Sequence, residues 1–151
     1  MENTNPAQAA TELAELKDLE LAGFVEAAKD PLWLWPVIGL LAGGFFASFE
    51  IKSVVVAALA IVGYSLAIAI IVGLVVRRRG VQPRMNDLPA PLQRIWLFYG
   101  IGVGVASVAI VGLGLGFSWI YAGIAAFVII TAGGIWYHVA WRNAVDSLAA
   151  A

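Results

Sequence analysis

The chain has 151 residues, of which 62% are hydrophobic and 13% are charged, and its formal net charge at pH 7 is −1. Soluble domains contain about 45–50% apolar residues, so this composition indicates a membrane protein, and we expect no nucleic-acid partner. The sequence contains no cysteine, which excludes disulfides, thiol nucleophiles and thiolate metal sites.

Residues 1–30 carry seven acidic residues and two lysines. Asn5-Pro6 is a typical helix start, and the apolar residues that follow recur at helical spacing. We therefore predict a cytoplasmic amphipathic helix over 1–30. It lacks a basic start followed by a short apolar core, so we expect no secretory signal peptide.

Four stretches nearly free of charge follow, at about 32–52, 53–76, 95–117 and 119–141. About 20 apolar residues suffice to cross a bilayer, and continuous apolar runs do not fit the alternation of a β-barrel. The sequence therefore predicts an all-α membrane protein, in which four transmembrane helices form two hairpins within a domain spanning 31–151. Pro36 is expected to kink or restart the first helix near Trp35.

Five of the nine Lys and Arg residues lie in the predicted loop 77–94, and they are Arg77, Arg78, Arg79, Arg84 and Arg94. Loops rich in Lys and Arg stay in the cytoplasm. We predict a multi-pass protein of the bacterial inner membrane with both termini cytoplasmic. The arginines would set this topology, and they could also bind anionic lipids or the acidic N-terminal helix. A freely solvated N-terminal helix is the alternative.

The third apolar stretch is rich in small residues, among which Gly100 and Gly104 form one GxxxG pair and Gly112 and Gly116 form another. In lipid, helices associate by close packing of such residues. We expect this helix to be the most buried of the four, and we expect a homo-oligomer or a larger membrane complex.

A few polar residues lie near the middle of the predicted spans, and they are Tyr64, Ser65, Ser107 and Thr131. They are interpreted as interhelical hydrogen-bonding groups or as a midplane polar layer around a small-solute site. No Asp, Glu, Lys or Arg lies in the interior of a span, since Glu50 and Lys52 lie at the outer end of the first, which argues against ion-coupled carriers. Aromatic residues near the span ends are interpreted as interfacial anchors, and so is His138.

No catalytic, cofactor-binding or metal-binding motif is found in the sequence. A lone histidine cannot form a metal site or a triad by itself. We therefore expect a protein that is not an enzyme, with no cofactor and no catalytic or metal residues.

Two segments carry a resemblance: AELKDLELAGFVEAAKDPLWLWPVIGLLAGGFFAS and VVRRRGVQP. They resemble small four-helix membrane proteins of actinobacteria, which have an N-terminal helix, an aromatic step before the first span and an arginine cluster after the second. The resemblance implies location and architecture rather than an activity.

The leading hypothesis is a non-catalytic membrane protein, an accessory or scaffold subunit or a self-associating bundle, that acts through its cytoplasmic face and contacts membrane lipids. The alternative is a transporter or pore for a small solute that uses the midplane polar layer. A holin-like protein is a third hypothesis.

Overall fold

The computed structural model describes residues 22–26, 28–78 and 88–150. Every regular element within these ranges is helical. The helices are α1 (Leu34–Ser48), α2 (Val54–Arg78), α3 (Ala90–Gly116) and α4 (Trp119–Ala149), and a 3₁₀ turn at Phe49–Ile51 extends α1. All four, with that turn counted in α1, are long and apolar enough to cross a membrane. This confirms the predicted helical class and the four candidate spans.

The helix ends differ from the predicted ones at two places. Helix α3 begins at Ala90 instead of 95, and Pro91 lies in its first turn, where the missing N–H is not needed by the helix. Helix α4 continues to Ala149 instead of 141. Charge marks the end of an apolar stretch, but a helix can continue through Arg94 or Arg142 because polar side chains do not interrupt backbone hydrogen bonding.

The start of α1 agrees with the predicted restart near Trp35. The Leu34 N–H donates to the Pro31 carbonyl at 3.1 Å, and the Trp35 N–H donates to the Leu32 carbonyl at 3.3 Å. Because α1 begins at Leu34, Pro36 falls within its first turn. A proline is tolerated there, whereas it would break a helix interior.

The helices contact one another in the spatial order α2–α1–α4–α3. The most extensive contact joins α1 to α4, and α3 packs against α4. Helix α2 contacts α1 only sparsely, and no extensive contact joins α2 to α3. The two terminal helices of this row are therefore held from one side, and a gap remains between them.

Glycines permit the close approach of α1 and α4. A Cβ added at Gly43 would lie 2.8 Å from the carbonyl oxygen of Gly123, and one added at Gly123 would lie 2.5 Å from that of Gly43. Gly134 of α4 lies directly against the ring of Trp35 in the same interface. Backbones that meet this closely leave no room for any other residue, which is a common way for helices to associate in lipid.

A carboxylate links the end of α1 to the start of α4. Oε2 of Glu50 accepts a hydrogen bond from the Ser118 hydroxyl at 2.9 Å and another from the Trp119 N–H at 2.8 Å. Ser118 is the N-cap of α4, and its oxygen accepts from the Ile120 N–H at 3.1 Å. A negative charge at a helix N-terminus is favourable because the first N–H groups lack partners there.

At the opposite end of the helices from Glu50, the segment before α1 packs on the start of α3 and the end of α4. Phe24 is buried in a cluster with Leu92, Trp141 and Val145. The Trp141 indole N–H donates to the Phe24 carbonyl at 3.4 Å, and the two rings lie 6.2 Å apart. Residues 22–26 are helical, but most of the predicted helix over 1–30 lies outside the described residues. Its docking on loop 77–94 stays a prediction.

Candidate functional site

A cavity of about 480 Å³ lies midway along the helices, in the gap between α2 and α3. Helix α1 contributes Ala42, Phe45 and Phe46, and helix α2 contributes Tyr64. The rest of the lining comes from positions between 98 and 110 of α3 and between 129 and 136 of α4. The cavity thus draws on all four helices, although α2 and α3 do not pack together.

Aromatic rings form the α1–α2 side of the cavity. The rings of Phe45 and Tyr64 stack with centroids 4.9 Å apart and an interplanar angle of 28°. Phe46 meets Phe45 edge-on at 5.3 Å. Offset stacking and edge-to-face contacts are the arrangements that aromatic rings favour, so this side is an ordered apolar surface.

A second group of rings lies where the cavity meets the start of α1. Tyr99 lies 4.5 Å from Tyr137 and 6.3 Å from Trp35, measured between ring centroids. Trp35 also lies 6.1 Å from Tyr137. Because Trp35 is fixed against Gly134, this group holds Tyr99 in place at the edge of the cavity.

The structure brings two of the four predicted midplane residues to the cavity. Tyr64 and Ser107 line it, and the Ser107 hydroxyl donates to the Val103 carbonyl at 2.8 Å. Ser65 is exposed and lies outside the lining. Thr131 lies in the α1–α4 interface against Gly39, and its buried hydroxyl has no hydrogen-bond partner among the described residues. The four residues do not form one continuous layer.

The predicted arginines are only partly described. Arg77 at the end of α2 and Arg94 in the second turn of α3 are both exposed. The side chain of Arg78 and all of Arg79 and Arg84 lie outside the described residues. The roles of these arginines in topology, in lipid binding or in docking of the N-terminal helix stay predictions.

The predicted packing glycines of α3 face open space in the single chain. A Cβ added at Gly100, Gly104, Gly112 or Gly116 would meet no atom within 4 Å. The expectation that α3 is the most buried helix is wrong for the single chain, since 6% of its most apolar stretch is buried against 22% in α1 and in α4. Close packing within the chain instead uses the glycines of the α1–α4 interface.

The cavity lining is suited to binding an apolar ligand. It offers aromatic faces, aliphatic side chains and the hydroxyls of Tyr64, Tyr99 and Ser107. His138, which was interpreted as an interfacial anchor, is buried on α4 and does not line the cavity. Within the described ranges, no group of His, Asp and Glu residues is placed to hold a metal ion.

Sequence reasoning missed most of the aromatic lining of the cavity, because the aromatic residues Phe45, Phe46 and Tyr99 were interpreted as interfacial anchors. The sequence carried no distinct signal for this lining, since Phe45 lies within about two helical turns of the end of the predicted span 32–52.

Comparison of the sequence with protein-family models finds no match. Comparisons with curated proteins and with solved structures find no significant similarity either. The resemblance to actinobacterial four-helix proteins therefore stays a prediction, and function has to be argued from the arrangement of the helices and the cavity.

Proposed function

We propose that this chain is a non-catalytic subunit of the bacterial inner membrane that works in an assembly, either with copies of itself or with a larger complex. The observation that carries the proposal is the open small-residue surface of α3. Four glycines with no neighbour within reach of a Cβ offer the surface on which helices associate in lipid. Lipid tails make few additional van der Waals contacts with such a surface, whereas another helix can approach it closely and pack against it.

The positions of the glycines support more than one neighbour. An α-helix turns by about 100° per residue, so Gly100 and Gly104 lie on one side of α3. Gly112 and Gly116 lie on a side roughly 120° further round the axis. One partner helix cannot contact both pairs, so we propose that α3 lies between two neighbours in the assembly.

Orientation follows from the arginine-rich loop, which we propose is cytoplasmic together with both termini. Few residues separate α1 from α2 and α3 from α4, so the opposite side offers little surface for a partner. We therefore propose that the cytoplasmic segments, in contact with membrane lipids, provide the remaining interaction surface.

Site-directed cross-linking tests the assembly directly, because the chain contains no cysteine. Gly104→Cys places a thiol on the open surface, and the matched control Ala106→Cys places one on the cavity side of the same helix. Oxidation in isolated membranes is expected to join Gly104→Cys chains into dimers and to leave Ala106→Cys monomeric.

Equal cross-linking of the two variants would contradict association through this surface. If neither cross-links, native mass spectrometry of the gently extracted protein decides between the two forms of assembly. A stoichiometric second protein would support an accessory subunit, and a monomer alone would refute the proposal.

Transport of a small solute is a second candidate, and the cavity is the observation that favours it. Only Tyr64 and Ser107 of the four predicted polar residues line the cavity, so a continuous polar path is not supported. Solute flux into liposomes that falls on Ser107→Val and stays unchanged on Ser65→Val would favour transport over assembly.

A further inference from the structure

We propose that the cavity between α2 and α3 is a binding site for a lipid-soluble compound with a planar ring and a carbonyl oxygen at the ring edge, the chemistry of a prenylated quinone. This inference is independent of the proposed assembly. The cavity lies on the side of α3 that faces α4, whereas Gly100, Gly104, Gly112 and Gly116 lie on the remaining sides.

The size of the cavity fits a ring compound with a tail. Its volume is about 480 Å³, within the range of about 300–1,000 Å³ that ligand pockets occupy. The lining of α3 extends from Phe98 to Ile110, which is about 18 Å along a helix at 1.5 Å per residue. The mean cross-section is then roughly 27 Å², so the cavity is long and narrow.

Flat surfaces on both sides favour a planar ring. Phe45 and Tyr64 present a stacked pair on the α1–α2 side. Gly102 of α3 and Gly133 of α4 line the cavity without side chains, and a Cβ added at either would meet nothing within 4 Å. A ring can therefore approach these two backbones closely. An acyl chain would fill the same space but would gain no aromatic stacking.

The hydroxyls supply the polar contacts that such a compound needs. The Tyr64 ring stacks on Phe45, and among the described residues no hydrogen bond engages the Tyr64 hydroxyl, so this hydroxyl can donate to a carbonyl oxygen. Ser107 already donates to Val103, which leaves its oxygen as an acceptor. A ring oxygen in the carbonyl form would therefore bind Tyr64, and the reduced hydroxyl form could donate to Ser107.

A ligand can enter the cavity from the bilayer without passing through the aqueous phase. Helix α2 lines the cavity through Tyr64 and helix α3 through positions 98–110, but the two helices make no extensive contact with each other. A lipid-soluble compound can therefore reach the cavity sideways from the bilayer, between these two helices. The part of its tail that extends beyond the cavity would remain among the lipid chains.

The test uses the full chain in nanodiscs of dimyristoylphosphatidylcholine and the probe 2-methyl-3-prenyl-1,4-naphthoquinone. Binding is measured by equilibrium dialysis against empty nanodiscs, so that partition into lipid is subtracted. We expect saturable binding of one probe per chain. Farnesol, which has an isoprenoid tail and an oxygen but no ring, should compete at least tenfold less well.

Variants locate the site. Gly102→Leu and Gly133→Leu fill the cavity and should weaken binding at least tenfold. The control Gly63→Leu, at a similar depth on α2 but outside the lining, should leave binding unchanged. Tyr64→Phe keeps the ring but loses the donor, and it should weaken binding three- to tenfold. Phe45→Leu removes a stacking face without adding bulk. It should weaken binding, and it tests the site even if Gly102→Leu or Gly133→Leu fails to fold.

Three results would overturn the proposal. The first is the absence of saturable binding to the wild-type chain. The second is equal binding by the wild-type chain and by folded Gly102→Leu, Gly133→Leu or Phe45→Leu. The third is equal competition by farnesol, which would show that the cavity accepts apolar chains without preference for a ring.

Discussion

Replacing Gly43 by alanine should weaken the α1–α4 interface, and the neighbouring residue provides a matched control. The new Cβ would lie 2.8 Å from the Gly123 carbonyl oxygen and 3.2 Å from the Cβ of Phe127. Ordinary contact begins at 3.4 Å, so the oxygen must move by about 0.6 Å, and it belongs to a helix backbone. At Gly44, one position along, an added Cβ meets nothing within 4 Å.

The quantity to predict is the difference in the free energy of unfolding between Gly43→Ala and Gly44→Ala. Both gain the intrinsic helix preference of alanine over glycine, up to about 1 kcal/mol in water, so this contribution cancels. Overpacking in a close interface costs about 1–3 kcal/mol. Gly43→Ala should therefore be about 1–3 kcal/mol less stable than Gly44→Ala, which corresponds to a melting temperature lower by about 2–12 °C.

Reversible unfolding in mixed detergent micelles, followed by far-ultraviolet circular dichroism, measures this difference. The same comparison can be made on α4, where Gly123 contacts α1 and Gly133 does not. If Gly43→Ala and Gly44→Ala unfold within about 0.5 kcal/mol of each other, the assignment of Gly43 to a close backbone contact is wrong.

Three further substitutions test other contacts by the same unfolding assay. Glu50→Ala removes the acceptor for Ser118 and the N-terminus of α4 and should lower the free energy of unfolding, because the first N–H groups of α4 lose a partner; an unchanged stability would contradict the link. Lys52 has φ 51°, so Lys52→Gly should stabilise the chain by about 1 kcal/mol, and a loss of stability would count against this backbone conformation. Trp141→Ala empties the cluster around Phe24 and should cost about 3–5 kcal/mol, with faster proteolysis near residue 24; proteolysis at the wild-type rate would contradict this packing.

The helical class and the four spans could be predicted because burial in lipid requires long stretches without charge. The packing of α3 could not, because a glycine pattern identifies surfaces that allow close approach without identifying which neighbour uses them. Gly43 and Gly44 are adjacent in the sequence, yet one meets α4 and the other meets nothing. That distinction depends on how the helices are rotated against each other.

The cavity could be predicted only in part. Tyr64 and Ser107 were singled out by their polarity in an apolar stretch, and both line it. Ser65 and Thr131 are also polar residues in apolar stretches, but they do not line the cavity, because neighbouring positions on a helix face different directions. The aromatic lining gave no distinct signal, since rings at similar positions also serve as interfacial anchors.

The contact between Gly43 and Gly123 also has a consequence for biogenesis. The two residues are about 80 positions apart in the chain, and ribosomes add about 5–20 residues per second. Gly43 therefore waits about 4–16 s after its own synthesis before Gly123 of α4 is added to the chain. During that interval the small-residue face of α1 has no partner from its own chain, so an insertion factor or another membrane helix that covers this face would act before the last helix is made.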